Sequence, residues 1–409
     1  MRVLIYGINF APELTGIGKY TGELATYLQQ NGDSVEVITA LPYYPQWKVP
    51  EEYRGGYRKE TIEGVSVLRC PIYVPGERSG WKRLLHDLSF VLSSLRYWLP
   101  RYLRKYDLIV CISPPFHLGY MALPHRWLHG TRVLNHVQDL QVDAAESMGF
   151  FKSKWLLGLL KSAERFLLSR VSHVSTISEG MRRRIVAKGV AGERMLHVPN
   201  WVDTEIVHPV PQTMSLRREW GIPTDERVVM YSGNLGDKQG LEDMIVAADL
   251  LRNTPRLRFI IVGKGDYEEP LREMVRTRGL SNVTFKPLQP LSRLAAALSV
   301  ADVQLVLQRR AAADLVLPSK LTNILAVGSH ALVTAEPGTS LHDIVVEHRL
   351  GTVIEPENPR LLAAALLRIL DGKHGADITG SRRYVDNFLE KNSVLSRFRQ
   401  EVAACLTEH

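Results

Sequence analysis

Residues 6–24 read YGINFAPELTGIGKYTGEL and place three glycines where an apolar run gives way to a helical pattern. The run before them, Arg2 to Tyr6, has the length and apolarity of a buried strand. Glycine at the head of the following helix lets the backbone approach an anion closely. The stretch therefore predicts a strand, a glycine turn and a helix, and the turn either binds a phosphate or is an ordinary turn.

Two common phosphate-binding loops do not fit this stretch. In a Walker loop, Glu13 would occupy the first glycine position and Tyr20 the position of the hydroxyl that binds magnesium. In a dinucleotide-binding loop the third glycine would have to come one residue earlier than Gly22. The loop by itself leaves its ligand open.

The same pattern starts again at residues 227–251, which read RVVMYSGNLGDKQGLEDMIVAADLL. Residues 208–226 precede it and are rich in proline and polar residues, as linkers are. Both halves alternate buried strands with amphipathic helices, which predicts parallel sheets covered on both faces. We therefore predict two doubly wound α/β domains in residues 1–205 and 206–380, with a helical segment 381–409 that crosses back to the first domain.

Strands are predicted wherever short apolar runs end at turn residues. In the first half these runs are Arg2–Tyr6, Ser34–Thr39, Val65–Arg69, Leu108–Ile112, Arg132–His136, His173–Thr176 and Met195–Val198. In the second half they are RVVMYSGN, LRFIIVG, VTFKP, VQLVL, HALVT and GTVIE. Ligands of such sheets bind at the carboxyl ends of the strands, so we expect a substrate cleft where the two domains face each other.

Composition narrows the class of protein. With 45% hydrophobic and 23% charged residues in 409 positions, the chain is typical of a soluble globular protein. Its apolar runs are too short to span a membrane, and its N-terminus is predicted to be a strand and not a signal peptide. Three widely spaced cysteines favour a reducing cytoplasm and argue against zinc.

The formal charge of +8 favours anionic partners. Lysines and arginines are dispersed and no basic-aromatic recognition module occurs, so nucleic acid is not an expected partner. Phosphorylated small molecules and anionic lipids remain.

Four segments in order resemble the GT-B class of glycosyltransferases, specifically its retaining family four. They are the first glycine loop, YSGNLGDKQGLE (231–242), IIVGKGDYEEPL (260–271) and LPSKLTNILAVGSHALVT (317–334). Within the family, GINFAPELTGIGKYTGE and PSKLTNILA are most similar to enzymes of colanic-acid and other exopolysaccharide biosynthesis. The resemblance spans nearly the whole chain and implies the GT-B fold, with two Rossmann-like domains facing across a cleft.

The sequence also departs from the family pattern. The family usually has an arginine where Asn234 stands and a lysine where Gln239 stands, although Lys238 can supply the lysine's charge. Many members carry a pair of glutamates whose positions here fall on Leu315 and Asn323. Asn323 can still hydrogen-bond a ribose hydroxyl, whereas Leu315 cannot replace a carboxylate. These departures concern contacts to the donor and not the fold.

The resemblance implies a nucleotide-diphosphate sugar as donor, with no metal and no further cofactor. The departing diphosphate would be stabilised by backbone amides and basic side chains. Residues expected to contact the donor are Gly16, Gly18, Asn234, Lys238, Gly265, Ser319 and Asn323. Lys320, which lies in the segment LPSKLTNILAVG at the start of a predicted helix, is expected to neutralise the charge of the departing diphosphate during catalysis. The alternative is that Lys320 is a solvated surface lysine.

The segment LNHVQDLQVDAAE (134–146) follows an apolar strand and places polar residues at its carboxyl end. The family has a polar residue beside the reacting sugar at this edge. Asp139 is the expected residue, to orient the acceptor hydroxyl or stabilise the oxocarbenium-like transition state, unless it is only a helix N-cap. His136 is a second catalytic candidate, and the alternative is that it only closes the strand by hydrogen bonding to backbone.

Two predicted helices combine apolar, tryptophan and basic residues. Their segments are WKRLLHDLSFVLSSLRYWLPRYLRKYD (81–107) and FFKSKWLLGLLKSAERFLLSR (150–170). Such helices can lie in a bilayer interface, or their apolar sides can belong to the core. With the basic charge and the family's use of lipid-linked acceptors, the interpretation is binding to an anionic membrane surface, in which Arg101, Arg104 and Lys105 would take part.

The leading hypothesis is an enzyme that adds a sugar to a polyprenyl-diphosphate-linked saccharide. It would work in the cytoplasm, peripherally on the cytoplasmic face of the inner membrane. The likeness to colanic-acid enzymes suggests a GDP-linked donor such as GDP-fucose. The alternatives are a non-catalytic nucleotide-sugar-binding subunit of a synthesis complex and a GT-B epimerase or phosphorylase.

Overall fold

The computed structural model describes residues 1–13, 16–76, 80–147, 153–312, 320–372 and 378–407. Its contacts divide the chain into two compact units. The first unit comprises residues 1–199 and 395–409, and the second comprises residues 200–394. The predicted boundaries lie at 205 and 380, so the second unit takes in more of the C-terminal segment than the sequence suggested.

The first unit is built on an eight-stranded sheet in the order β3-β4-β2-β1-β5-β6-β7-β8. The strands are β1 (Arg2–Tyr6), β2 (Ser34–Ala40), β3 (Arg58–Ile62), β4 (Val65–Cys70), β5 (Leu108–Ser113), β6 (Arg132–Val137), β7 (His173–Thr176) and β8 (Met195–His197). All pairs are parallel except β3 with β4, which is antiparallel. The sequence prediction missed β3, because this edge strand, RKETI, is largely polar and exposed.

Helices connect the parallel strands of this unit. They are α1 (Gly16–Gln30), α2 (Gly80–Arg101), α3 (Leu123–His129), α4 (Gln141–Ser147), α5 (Lys154–Arg170) and α6 (Glu179–Ala187). Ser153 and Ser178 cap α5 and α6 by accepting a hydrogen bond from the backbone three residues on.

The second unit has a six-stranded, fully parallel sheet in the order β11-β10-β9-β12-β13-β14. Its strands are β9 (Arg227–Asn234), β10 (Leu257–Lys264), β11 (Val283–Lys286), β12 (Val303–Val306), β13 (His330–Thr334) and β14 (Gly351–Ile354). Its helices are α7 (Glu242–Leu250), α8 (Glu268–Thr277), α9 (Leu294–Leu298), α10 (Lys320–Ala326), α11 (Ser340–Glu347), α12 (Pro359–Leu370) and α13 (Ile378–Tyr384).

The sheet of the second unit is buried on both faces. Val228 and Met230 of β9 pack in one core cluster, and the alternating Val229 and Tyr231 pack in another. Successive side chains of a strand point to opposite faces, so a strand covered on both sides must be apolar throughout. This explains why the strands appear in the sequence as continuous apolar runs.

The last helix, α14 (Lys391–Thr407), begins in the second unit, and from residue 395 onward it belongs to the first. Near its start, Lys391 donates to Asp203 at 2.7 Å within the second unit. Farther along, Arg399 pairs with Asp33 at 2.8 Å, and Asp33 also binds the N-terminal amine at 2.7 Å. These ion pairs fix the two ends of the helix in their respective units.

Candidate functional site

The carboxyl ends of β9, β10 and β12 lie at one edge of the second sheet, because these strands are parallel neighbours. A Cβ atom on Gly263 would lie 2.1 Å from the Gly233 carbonyl oxygen, and one on Gly265 would lie 2.1 Å from the Leu235 carbonyl oxygen. Neither position can therefore hold any other residue without moving backbone. Close packing against backbone is enough to explain the glycine at position 265. The contact of Gly265 with the donor remains a prediction.

Lys320 is the first residue of α10, and its ammonium nitrogen is buried. Nζ lies 3.8 Å from the centroid of the Tyr231 ring and close to Gly233, where a Cβ would come within 3.6 Å of it. No described residue accepts a hydrogen bond from Nζ. Burial lowers the pKa of Lys320 from its ordinary value of 10.5 to about 7. The alternative of a solvated surface lysine is therefore wrong.

Arg309, which follows β12, holds the loop after β9 in place. Its Nε donates to the Asp237 carbonyl oxygen at 2.7 Å, and its Nη2 donates to Asp237 Oδ1 at 3.0 Å and Glu242 Oε1 at 2.7 Å. Its backbone N–H donates to the Lys238 carbonyl oxygen at 3.0 Å. The exposed side chains of Asn234 and Lys238 thus sit on a braced loop at the edge of the sheet. Sequence reasoning missed Arg309, for which a basic residue directly after a buried strand was the available signal.

Asn323 lies one turn after Lys320 on α10, and its side chain is half-buried. Residues three apart on a helix share a face, so the structure brings these two predicted residues together. Ser319 and Leu315 lie outside the described residues. The predicted ribose contact of Asn323 and donor contact of Ser319 remain predictions.

In the first unit, the glycine loop is organised around Glu13, which sequence reasoning did not select. Its Oε1 accepts from the backbone N–H groups of Tyr43 and Tyr44 at 3.1 and 3.0 Å, and its Oε2 accepts from Asn9 Nδ2 at 2.9 Å. A Cβ on Gly18 would lie 2.6 Å from Glu13 Oε2 and 2.8 Å from Glu13 Cβ. Gly18 is therefore required by this internal carboxylate, which differs from the predicted reason of leaving space for a diphosphate.

Gly16 begins α1 with a φ of +63°, a left-handed conformation that favours glycine. A Cβ at this position would have Tyr44 Cε1 as its nearest neighbour, at 3.6 Å, so space alone would permit a small side chain. The glycine is explained by backbone conformation, and its predicted contact with the donor remains a prediction.

His136 lies near the end of β6 and is buried. Its Nδ1 lies 2.8 Å from Ser175 Oγ, and Gln138 Nε2 donates to its Nε2 at 3.2 Å. Burial lowers the pKa of His136 to about 4, so the imidazole is neutral at pH 7. Both ring nitrogens have side-chain partners, which fits the structural alternative of the sequence prediction, although the predicted bond to backbone is wrong.

Asp139 follows the same strand, is half-buried and precedes α4 by one residue more than an N-cap would. Its predicted role beside the acceptor remains a prediction. Asp87 of α2 lies at the same edge, because Gln141 Nε2 comes within 3.5 Å of its Oδ2. Burial raises the pKa of Asp87 to about 7. Sequence reasoning missed Asp87, since it lies within the apolar helix far from Asp139 in sequence.

In the two helices predicted to bind a membrane surface, the structure differs from the prediction at Arg101. Arg101 is buried, and its Nε donates to Glu36 Oε2 at 2.7 Å. Its Nη1 donates to the Tyr97 carbonyl oxygen at 2.8 Å. Its predicted part in binding lipid is therefore wrong, whereas Arg104 and Lys105 are exposed. Across the described ranges, no helix is both long and apolar enough to cross a bilayer.

Residues 15–201 match the family described as glycosyl transferase 4-like domain, and residues 213–385 match the glycosyl transferases group 1. A protein of Escherichia coli (strain K12), named WcaI and described as a glycosyl transferase of colanic acid biosynthesis, is 41% identical over 409 residues, covering 98% of this chain and 100% of that one. A GDP-mannose-dependent alpha-(1-6)-phosphatidylinositol monomannoside mannosyltransferase of Mycolicibacterium smegmatis (strain ATCC 700084 / mc(2)155) is 26% identical, covering 74% and 71% of the two chains.

Solved structures share the fold at lower identity. Sucrose-phosphate synthase from Thermosynechococcus elongatus superposes with a TM-score of 0.76 at 18% identity, covering 98% of this chain and 99% of that one. HepE from Anabaena in complex with UDP-glucose gives 0.71 at 15% identity, covering 99% and 100%. The predicted α/β fold of the GT-B class is confirmed. The chain is a glycosyltransferase, and it belongs to the family that joins a glycosyl transferase 4-like domain to a group 1 domain.

Proposed function

We propose that this glycosyltransferase moves a sugar from a nucleotide-diphosphate sugar to a polyprenyl-diphosphate-linked saccharide during synthesis of an exopolysaccharide of the colanic-acid type. The name of the Escherichia coli relative supports the pathway. The UDP and UDP-glucose complexes of HepE support a nucleotide sugar as donor. The observation that carries the proposal is the buried Lys320 ammonium, which lacks a hydrogen-bond partner among the described residues.

In the proposed reaction, the bond between the anomeric carbon and the diphosphate breaks, and its electron pair leaves with the nucleotide diphosphate. The acceptor hydroxyl oxygen bonds to the same carbon with retained configuration, and its proton passes to a phosphate oxygen of the donor. Lys320 neutralises the growing negative charge, so it acts most strongly in the transition state. Asp139 orients the acceptor hydroxyl or stabilises the oxocarbenium-like carbon, and no metal takes part.

The donor would contact the second unit through Asn234, Lys238, Gly265, Ser319 and Asn323. Gly16 and Gly18 would shape the loop of the first unit beside the reacting groups. Because the acceptor carries a lipid, the enzyme would work peripherally at an anionic membrane surface, on the cytoplasmic face of the inner membrane.

The test is a thermal-shift panel with UDP, GDP and ADP, followed by a donor-hydrolysis assay on the purified protein. A nucleotide at 100 times its dissociation constant should stabilise the fold by about 2.7 kcal/mol. A larger shift with GDP supports a GDP-linked donor such as GDP-fucose, and a larger shift with UDP contradicts it. Binding without any turnover of a nucleotide sugar would favour the non-catalytic subunit, and absence of binding would refute the proposal.

A further inference from the structure

Helix α2 has a buried side and, opposite to it, an exposed apolar side. Its buried side includes His86, Phe90, Ser94 and Tyr97. A second series, spaced by three, four or seven residues, is exposed: Trp81, Leu85, Leu88, Leu92 and Leu99. At 3.6 residues per turn, the two series lie on opposite sides of the helix. The outer series therefore does not belong to the core of the unit, which answers the question that the sequence left open.

Helices α3 and α5 are neighbours of α2 in the fold and also carry exposed apolar residues. The segment after α2 is joined to the α3 region, because Tyr102 Oη donates to the Met121 carbonyl oxygen at 2.9 Å. That region is joined to α5 in turn, because Tyr120 Oη donates to the Ala163 carbonyl oxygen at 2.8 Å. We call the combined exposed surface the outer helix face, and it is marked by Trp81, Leu92, Leu99, Trp127, Trp155 and Leu159.

The outer helix face holds the exposed tryptophans of the described chain. Trp81, Trp127 and Trp155 are 66%, 64% and 77% exposed. The other tryptophans are buried or half-buried: Trp47, Trp98, Trp201 and Trp220. Tryptophan is favoured where an apolar surface meets the headgroup region of a bilayer, because its ring is apolar and its N–H is polar.

The charges on these helices are almost all positive. Exposed basic residues lie on α2 and α5: Arg83, Arg96, Lys154, Arg165 and Arg170. Of the carboxylates on the same helices, Asp87 is half-buried, and Glu164 is buried and paired with Lys188. An exposed apolar surface whose helices also carry exposed basic residues complements an anionic bilayer, whose headgroups are negative and whose interior is apolar.

We propose that the outer helix face inserts into an anionic bilayer, so that apolar burial as well as charge attraction holds the enzyme on the membrane. This inference rests on the proposed function, because a lipid-linked acceptor is what requires the enzyme to reach the membrane. Charge attraction between exposed groups weakens as salt rises, whereas apolar burial does not. Binding to vesicles should therefore weaken with salt and yet persist at high salt.

The experiment is sedimentation of the full-length protein with phosphatidylcholine vesicles, with and without phosphatidylglycerol. It is done at about 0.1 M NaCl, where charges are screened weakly, and at about 1 M NaCl, where they are screened strongly. The variant Leu92→Ser/Leu99→Ser removes two leucines that are 66% and 63% exposed. The matched control Leu250→Ser/Val346→Ser removes residues of the second unit that are 53% and 55% exposed. The outer-face variant should bind about tenfold more weakly or worse at both salt concentrations, while the control binds like wild type.

Several outcomes would overturn the proposal. The first is that the wild-type protein binds neither kind of vesicle. The second is that high salt releases it completely. The third is that the outer-face variant binds as strongly as its control. Dimers that form without lipid and are lost in the variant would assign the face to a second copy of the chain. Thermal shifts with UDP and GDP on the same preparations separate the two proposals, since nucleotide binding without vesicle binding refutes only the outer helix face.

Discussion

Lys320→Met removes a buried ammonium and keeps an unbranched apolar side chain of similar length. Lowering the pKa of Lys320 from 10.5 to about 7 corresponds to about 5 kcal/mol against the charged, folded state. We therefore expect Lys320→Met to raise the free energy of unfolding by about 5 kcal/mol wherever the wild-type lysine is protonated in both states.

The sign of the pH dependence follows from proton binding. Between pH 7 and 10.5 the unfolded chain holds a proton on Lys320 that the folded chain has lost, so wild-type stability rises with pH across this window. The advantage of Lys320→Met should be complete below pH 7 and should vanish toward pH 10.5. For a domain of this size, about 5 kcal/mol corresponds to about 10–20 °C in melting temperature.

The assay compares melting temperatures of variant and wild type at pH 6 and pH 10, together with donor turnover at pH 7. Turnover should fall about a hundredfold, on the order of 3 kcal/mol, with little change in the Michaelis constant for the donor. Lys264→Met is the control, because Lys264 ends β10 at the same edge and is exposed. A variant that turns over like wild type, or is equally stable at pH 6, would refute the assigned role or the burial of the ammonium.

Gly18→Ala should lower the free energy of unfolding by about 1–3 kcal/mol, because a Cβ would displace Glu13. Gly16→Ala should lower it by about 1 kcal/mol, because residue 16 has a positive φ. Denaturant unfolding measures both changes, and a Gly18→Ala variant as stable as wild type would contradict the packing around Glu13. Asn323→Ala should mainly raise the Michaelis constant for the donor, while Asn323→Glu should keep its activity. Steady-state kinetics measure both effects. An inactive Asn323→Glu variant would show that the helix is wrongly aligned with the family. Arg101→Gln should destabilise the first unit by about 1–3 kcal/mol at neutral pH, because it removes the ionic partner of the half-buried Glu36 and leaves it the hydrogen bond from Tyr106. Burial would raise the pKa of Glu36, but hydrogen bonds from Arg101 and Tyr106 outweigh burial and lower the pKa. The stabilisation from this carboxylate is therefore present above pH 4.5 and is lost as the pH falls through the folded pKa. Thermal melts from about pH 3 to 7 measure it, and a difference between variant and wild type that does not shrink at low pH would contradict the assignment.

Much of the fold could be predicted from sequence because the strands of doubly wound sheets are buried on both faces. Runs such as LRFIIVG carry that burial in their composition, and β10 forms where this run predicts it. The polar edge strand β3 lacks such a signal, since one of its edges has no neighbouring strand within the described part of the chain and its residues are largely exposed.

At the candidate site, the sequence by itself determined which residues reach the carboxyl ends of the strands, because order along the chain fixes where each strand ends. It placed Lys320 and Asn323 one turn apart on the same helix. It also gave the composition of α2, with apolar, tryptophan and basic residues together.

Only the tertiary structure decided which of these groups lose their water and which partners they gain. Lys320 is buried because α10 places it against Tyr231 of β9, a residue far away in sequence. Arg101 faces inward because Glu36 of β2 lies behind it, and the leucines of the outer helix face stay exposed because nothing described covers them. Desolvation and pairing depend on neighbours brought together by packing, and a pattern along one segment cannot contain them.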